Sequence, residues 1–261
     1  MNRIDVDDIQ QIASAAGAVV LENGGETYRA EKTVVRTAAA LGALEPSSFI
    51  TTTLVMVSFL DEKRKHYSYF KRIYKRNINL KKLTMINSLS RALERRKRVL
   101  DAAFIERRIA HISEAEEYSP SFIIASAAFS SFFFTLLFGG TVLDALCALV
   151  IGGILRIAIR LLGKSTINNF FVSLCAGSAA SIMTDILGIT PIPLHSSVII
   201  IGVLMQVVPG LALVNAIRDS IAGDFVAGTS RLVDALLTAL ALSVGSTAGL
   251  FVIHAIQGGL R

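Results

Sequence analysis

The spacing of apolar residues changes character once along this chain. As far as residue 119 they are interleaved with charges; from Pro120 to Ile256 they form long runs broken by Gly, Pro and a few charged residues. In the first part, Ile9, Ile12, Ala13, Ala16, Val19 and Val20 recur at helical spacing and predict a helix over residues 6–22, stopped by Asn23-Gly24-Gly25. A second helix is expected from near Thr27, which can cap it, through Val34, Val35, Ala38 and Leu41 to Gly42. Residues 48–60, rich in Thr, Val, Ile and Phe, predict one strand. The polar turn 61–65 then leads to a second strand carrying Tyr67, Tyr69 and Phe70. Helices over about 80–95 and 97–116 complete the domain, the last either continuous with the first apolar run or kinked at Ser119-Pro120.

In the second part, five runs are long enough for the ~30 Å hydrocarbon layer of a bilayer: residues 120–138, 142–162, 168–187, 194–217 and 231–256. The predicted fold class is therefore an α+β cytoplasmic domain, residues 1–119, followed by an all-α five-span transmembrane domain, residues 120–261. Arg156, Arg160, Lys164, Arg218 and Arg231 lie at alternate ends of the runs, whereas the turn 139–141 and the loop 188–193 carry no basic residue. The positive-inside rule places the basic ends and the N-terminus in the cytoplasm, and an odd span count places Arg261 outside. The polar start Met1-Asn2-Arg3-Ile4-Asp5 does not read as a signal peptide, so the mature protein is expected to begin at or near residue 1.

Charge sharpens this division. Of 26 Lys and Arg, 20 precede residue 120, and residues 63–98 hold fourteen of them against one acid, Glu94. Such a stretch can bind anionic lipid headgroups, present a solvated face or bind nucleic acid. Its tether to the cytoplasmic leaflet favours lipid, at on the order of 1 kcal/mol per basic residue near the surface, and no nucleic-acid partner is expected. Cys147 and Cys175 fall inside predicted spans without neighbouring ligands and read as small buried residues, with no metal or other cofactor expected. His66 and His111 stand far apart, and the phosphate-loop, nucleophile-elbow and zinc-helix motifs are missing, so the chain is not read as an enzyme.

Polar residues at membrane depth are candidates for function. Asp144, Asp185, His195 and His254 lie near the outer ends of spans, where they either reach solvent or, for the two carboxylates, face a common vestibule; Gln206 is a neutral addition. Ser173, Gly177 and Ser181 form a four-residue repeat that allows close helix packing or lines a pore. Pro209-Gly210 interrupts the fourth run and is followed by Asn215, Arg218, Asp219, Gly223, Asp224, Gly228, Arg231 and Asp234. Two readings of this segment stay open. It is a substrate or proton pathway of the kind transporters build at interrupted helices, or a short cytoplasmic turn held by an Arg218 to Asp224 or Arg231 to Asp219 ion pair.

Three segments, GGETYRAEKTVVRTAAALG (24–42), NLKKLTMINSLSR (79–91) and PGLALVNAIRDSIAGDFVAGTSR (209–231), resemble the bacterial threonine/serine exporter family, specifically its N-terminal module of a cytoplasmic domain plus five spans. The resemblance covers nearly the whole chain. It implies a secondary exporter of small polar metabolites in the bacterial inner membrane, with threonine, serine or succinate-like dicarboxylates as substrates. Glu26, Arg29 and Glu31 would belong to the family's cytoplasmic signature, and Pro209, Asn215, Arg218, Asp219, Gly223, Asp224 and Arg231 to its membrane signature. Long family members carry a second membrane module, so this chain looks like the larger subunit of a split form. Its partner would be a small membrane protein of about five spans. The competing readings are a metal-dependent membrane enzyme acting on lipids through Asp144, Asp185, Asp219 or Asp224, and a membrane-anchored sensor or scaffold.

Overall fold

A computed structural model describes residues 4–74, 77–95, 101–115, 118–163, 168–188 and 193–259. Lys75, Arg76, Arg96, Lys97 and Arg98 of the basic stretch, the start of the helix expected at 97, Lys164, most of the loop 188–193 and Arg261 lie outside the described residues.

The N-terminal part builds as its pattern predicts, with one exception. Helix α1 (Val6–Glu22) and helix α2 (Thr27–Ala40) turn their apolar faces inward, and Gly24 and Gly42 adopt the positive φ that ends each helix. The run expected as one strand over 48–60 is two: β1 (Leu44–Thr51) and β2 (Leu54–Leu60) pair antiparallel across Thr52 and Thr53. Thirteen residues exceed the usual five or six of a strand, and nothing in the run is Gly, Pro or Asn, which hid the turn. Strand β3 (His66–Arg72) pairs antiparallel with β2 to give a three-stranded sheet in the order β1-β2-β3. Helix α3 (Leu80–Glu94) is capped by Asn79, whose side chain accepts from Lys82 N, and helix α4 (Ala102–Glu114) by Asp101. Ile12, Val20, Val34, Val55, Val57, Phe59, Ile86 and Ile105 belong to one core shared by helices and sheet.

Among the described residues four helices are long and apolar enough to cross a membrane: α5 (Pro120–Leu137), α6 (Val142–Leu162), α7 (Asn169–Leu187) and α10 (Phe225–Gly259), the last over Phe225–Ala255. Helix α5 starts separately from α4, with Pro120 in its first turn and Ser119 as its cap. Of the five expected spans, the one over 194–217, expected to be interrupted at Pro209-Gly210, is not among these four. There the chain forms a nine-residue helix α8 (Ser196–Leu204), a break over 205–209, and α9 (Gly210–Ile221). Pro209 has no N–H to continue the ladder, and neither half alone spans ~30 Å at 1.5 Å per residue.

Only 22 to 33% of the apolar stretch of each of these helices is buried, and Phe129, Phe133, Leu137, Val150, Ile154, Leu240, Val244 and Phe251 are exposed, as lipid-facing residues must be. Cys175 is exposed on α7, so the expectation that both cysteines are buried fails there. Inside, small residues set the packing. A side chain at Gly177 or Gly245 would collide with the backbone oxygen of Leu242 or Leu174, Ser178 Oγ donates to Gly245 O at 2.8 Å, and Ser181 and Ser246 share a 2.6 Å hydroxyl bond. The Ser173, Gly177, Ser181 stripe is thus a packing surface between α7 and α10.

The chain forms two compact units, Met1–Glu117 with Leu211–Val233, and Tyr118–Gly210 with Asp234–Arg261. The first departs from a division at 119/120 by taking in α9 and the opening turns of α10.

Candidate functional site

The first unit brings together two segments about 190 residues apart, Gly24 to Thr27 and Asn215 to Arg231. Helix α2 begins at Thr27, and its N-terminal flank, Glu26, makes no side-chain cap. The missing cap comes from α9. Asp219, 1% exposed, accepts from Thr27 N at 3.1 Å through Oδ1 and from Thr27 Oγ1 at 3.0 Å through Oδ2. A carboxylate here answers an orphan N–H and the positive end of the α2 dipole together. Thr27, expected to cap α2 itself, instead donates its hydroxyl to this distant carboxylate.

Arg231 completes the arrangement: its Nε stands 2.9 Å from Asp219 Oδ2 and a terminal nitrogen donates to Gly25 O at 2.7 Å. Asn215 Nδ2 donates to Gly24 O at 2.9 Å, and Arg218 pairs with Glu26, which also binds Arg29 at 3.0 Å. Gly24 and Gly25 thereby offer their carbonyls to side chains of α9 and α10. Of the two ion pairs weighed from sequence, Arg231 to Asp219 forms; Arg218 takes Glu26 rather than Asp224.

Glu31 and Asp224 feel the same concentration of acids. Burial raises the Glu31 carboxyl above its ordinary range; Asp224 and Asp219 push it further, against a hydrogen bond from Ile50 N. Burial likewise raises Asp224, with Asp219 adding to it. The junction thus has charge-matched members (Glu26, Asp219, Arg218, Arg231) and two carboxylates at its edge that resist ionisation.

In the second unit the break after α8 holds Gln206, with Pro209 and Gly210 following. Gln206 Nε2 donates to Gly152 O and Val203 O at 3.2 Å each and reaches Ser131 Oγ at 3.4 Å. Its Oε1 is buried without a hydrogen-bond partner among the described residues. Such an oxygen costs roughly 1–3 kcal/mol unless a donor meets it. Ser131 and Thr135 line the neighbouring stretch of α5, where Gly202 of α8 packs directly onto Thr135.

Asp144 has a different environment from the one expected of an interfacial residue reaching solvent. It is fully buried in a capping box with Thr141 at the start of α6, and it also accepts from His195 N and meets His195 Nδ1, each at 2.9 Å. These bonds fasten the stretch leading into α8 to the start of α6. Asp185 is half-buried on α7, Asp234 exposed on α10, and His254 Nδ1 lies 2.8 Å from Leu250 O; no bond joins Asp185 to Asp144 among the described residues. Sequence reasoning did not single out Gly24, Gly25, Thr27 or Ser131 as site residues. The first three lie within the segment 24–42 that carries the family resemblance, and only Ser131 carried no signal.

The chain matches the family model ThrE, described as "Putative threonine/serine exporter", over residues 11–253. No curated protein and no solved structure matches it. With helices fit to cross a bilayer and a match running from α1 into α10, the chain belongs to the threonine/serine exporter family, a family of membrane transporters and not of enzymes.

Proposed function

We propose that this protein is a secondary exporter subunit of a bacterial inner membrane, moving threonine, serine or chemically similar small polar metabolites out of the cell. Membership of the exporter family supports the activity; the interrupted segment between α8 and α9 supports the location of the pathway. Transporters place substrate and coupling-ion sites where helices break at membrane depth, and Gln206 Oε1 is a buried acceptor at such a break, matched to an ammonium or hydroxyl donor.

On this reading Gln206, Pro209 and Gly210 border the pathway. Asn215, Arg218, Asp219, Asp224 and Arg231, continuing from the break, hold the α9–α10 segment in register through Gly24 to Thr27, and protonation of carboxylates such as Asp224 couples export to a proton gradient. Asp144, Asp185 and Asp234 remain secondary candidates for the proton route. The N-terminus is cytoplasmic and the C-terminus outside. Because α9 clusters with the N-terminal domain, this orientation requires the chain to recross the bilayer between Leu187 and Gly210, as an interrupted span would. The exposed apolar faces of the spans provide surface for lipid and for the small membrane-protein partner of about five spans. Substrates extend to succinate-like dicarboxylates if a cation such as Arg218 serves the second carboxylate, and the basic stretch 63–98 rests on anionic lipid headgroups.

The test is efflux from cells loaded with threonine, serine or succinate. Gln206→Leu, close in size but without the amide, should abolish export while the protein accumulates in the membrane; Gln206→Glu should retain part of it. Normal export by Gln206→Leu would place the pathway elsewhere.

A further inference from the structure

The N-terminal domain carries a cleft of about 290 Å³ that the membrane pathway does not use, opened between α1, β3 and α4. It exists because small residues meet where helices would otherwise interlock: Ala15 and Ala18 of α1 oppose Ala110 of α4, and Ile12 and Ile109 floor the gap. Its charged lining is Glu22 at the end of α1, Glu106 on α4 and Lys71 on β3. Burial raises the Glu22 carboxyl, opposed by Lys71 first and then Lys82, so the carboxylate faces an ammonium in a partly desolvated place. Lys82 itself donates to Ser113 O at 2.6 Å, which leaves Lys71 as the cation of the lining.

We propose that this cleft binds a free α-amino acid, the ligand's ammonium on Glu22 and Glu106 and its carboxylate on Lys71. The volume lies at the small end of ligand pockets. Two carboxylates beside one ammonium call for a ligand that bears a cationic group as well as an anionic one, which disfavours phosphates and dicarboxylates. A side chain of a few atoms, apolar or hydroxylated, suits the Ile12, Ala15 and Ile109 floor. Binding here stands on the cleft alone. Its role, a cytoplasmic domain that senses the solute the membrane helices export, rests on the exporter reading.

The chain has no tryptophan, so Ser113→Trp on the cleft rim gives the sole tryptophan signal. It spares the backbone carbonyl that Lys82 uses. In the purified full chain, titrated threonine should change that fluorescence saturably. Glu22→Gln or Lys71→Ala in the same background should weaken binding by about tenfold or more, the worth of one charge-assisted hydrogen bond. Succinate, propionate and ethylamine, each lacking one of the two charges, should bind weaker by a similar factor. In the unsubstituted chain, threonine should slow hydrogen exchange in residues 11–22 and 106–113. A folded protein that shows neither the saturable change nor the protection overturns the site, as does binding indifferent to both charge variants. Efflux by the unsubstituted chain is read separately: threonine binding without export refutes the exporter reading, and export without threonine binding refutes only the cleft.

Discussion

Removing the Asp219 carboxylate tests the junction most sharply. Asp219→Ala deletes the acceptor for Thr27 N and Thr27 Oγ1 and the counter-charge of Arg231, whose side chain is 11% exposed. Truncating one partner of a buried ion pair costs about 3–5 kcal/mol, and each buried donor left without an acceptor about 1–3. These do not add in full. Arg231 keeps its bond to Gly25 O, and the first turn of α2 can recruit water once loosened. The lower end, about 3 kcal/mol, is the expected loss, equivalent to roughly a hundredfold shift in the local opening equilibrium. Hydrogen exchange of residues 24–31 in the full chain should accelerate by about that factor, while the sheet, which makes none of these bonds, keeps its protection. Thr27→Val, losing only the hydroxyl bond, should cost about 1 kcal/mol, and the double variant should cost less than the sum. Unchanged exchange in Asp219→Ala would refute the assignment of Asp219 as the cap of α2.

Three further outcomes follow from other parts of the molecule. Gly177→Leu must push α7 from α10 against the Leu242 oxygen, so a loss of about 3 kcal/mol or more, read as a lower melting temperature in micelles, is expected, whereas Cys175→Ala on the exposed face should be near neutral. Glu31→Gln keeps an acceptor for Ile50 N but removes the repulsion from Asp224 and Asp219; since the folded-state pKa of Glu31 is raised, its ionised form opposes folding, and that cost disappears as pH falls through the folded pKa. The variant should therefore melt higher than the parent at neutral pH and lose its advantage as pH falls toward the ordinary 4.5, as followed by thermal melts across that range. A reporter active only outside the cytoplasm should work after Arg261 and fail after Lys164; the reverse would refute the proposed orientation.

The parts of this fold that sequence revealed are those governed by local periodicity. The spacing of Ile9, Ile12, Ala16 and Val19 specified α1, and Gly42 marked the end of α2, because burying one face of a helix needs residues every three or four positions. The turn at Thr52 and Thr53 escaped because its residues are themselves good strand formers. The fourth apolar run passed for one span because hydropathy integrates along the chain and does not register a missing backbone donor; Pro209 carried that information and indicated the interruption. At the junction, Asp219, Arg218 and Arg231 stood out as charges in an apolar context. Most of what they and Asn215 meet at Gly24 to Thr27 could not be read, since two partners are backbone carbonyls and a third is a backbone N–H; only the Glu26 carboxylate and the Thr27 hydroxyl are side chains. Asp144 drew attention for the same reason as Asp219, yet its oxygens close a helix cap.

The central claim is export, and vesicles test it directly. Membrane vesicles holding this chain together with the proposed small five-span partner should release preloaded threonine or serine in a manner that depends on the proton gradient. Release should cease with Gln206→Leu, and vesicles with the chain alone should release none. Absence of gradient-driven release with both proteins folded in the membrane would contradict the exporter account; substrate-specific release from vesicles holding only this chain would keep the activity and contradict the partner.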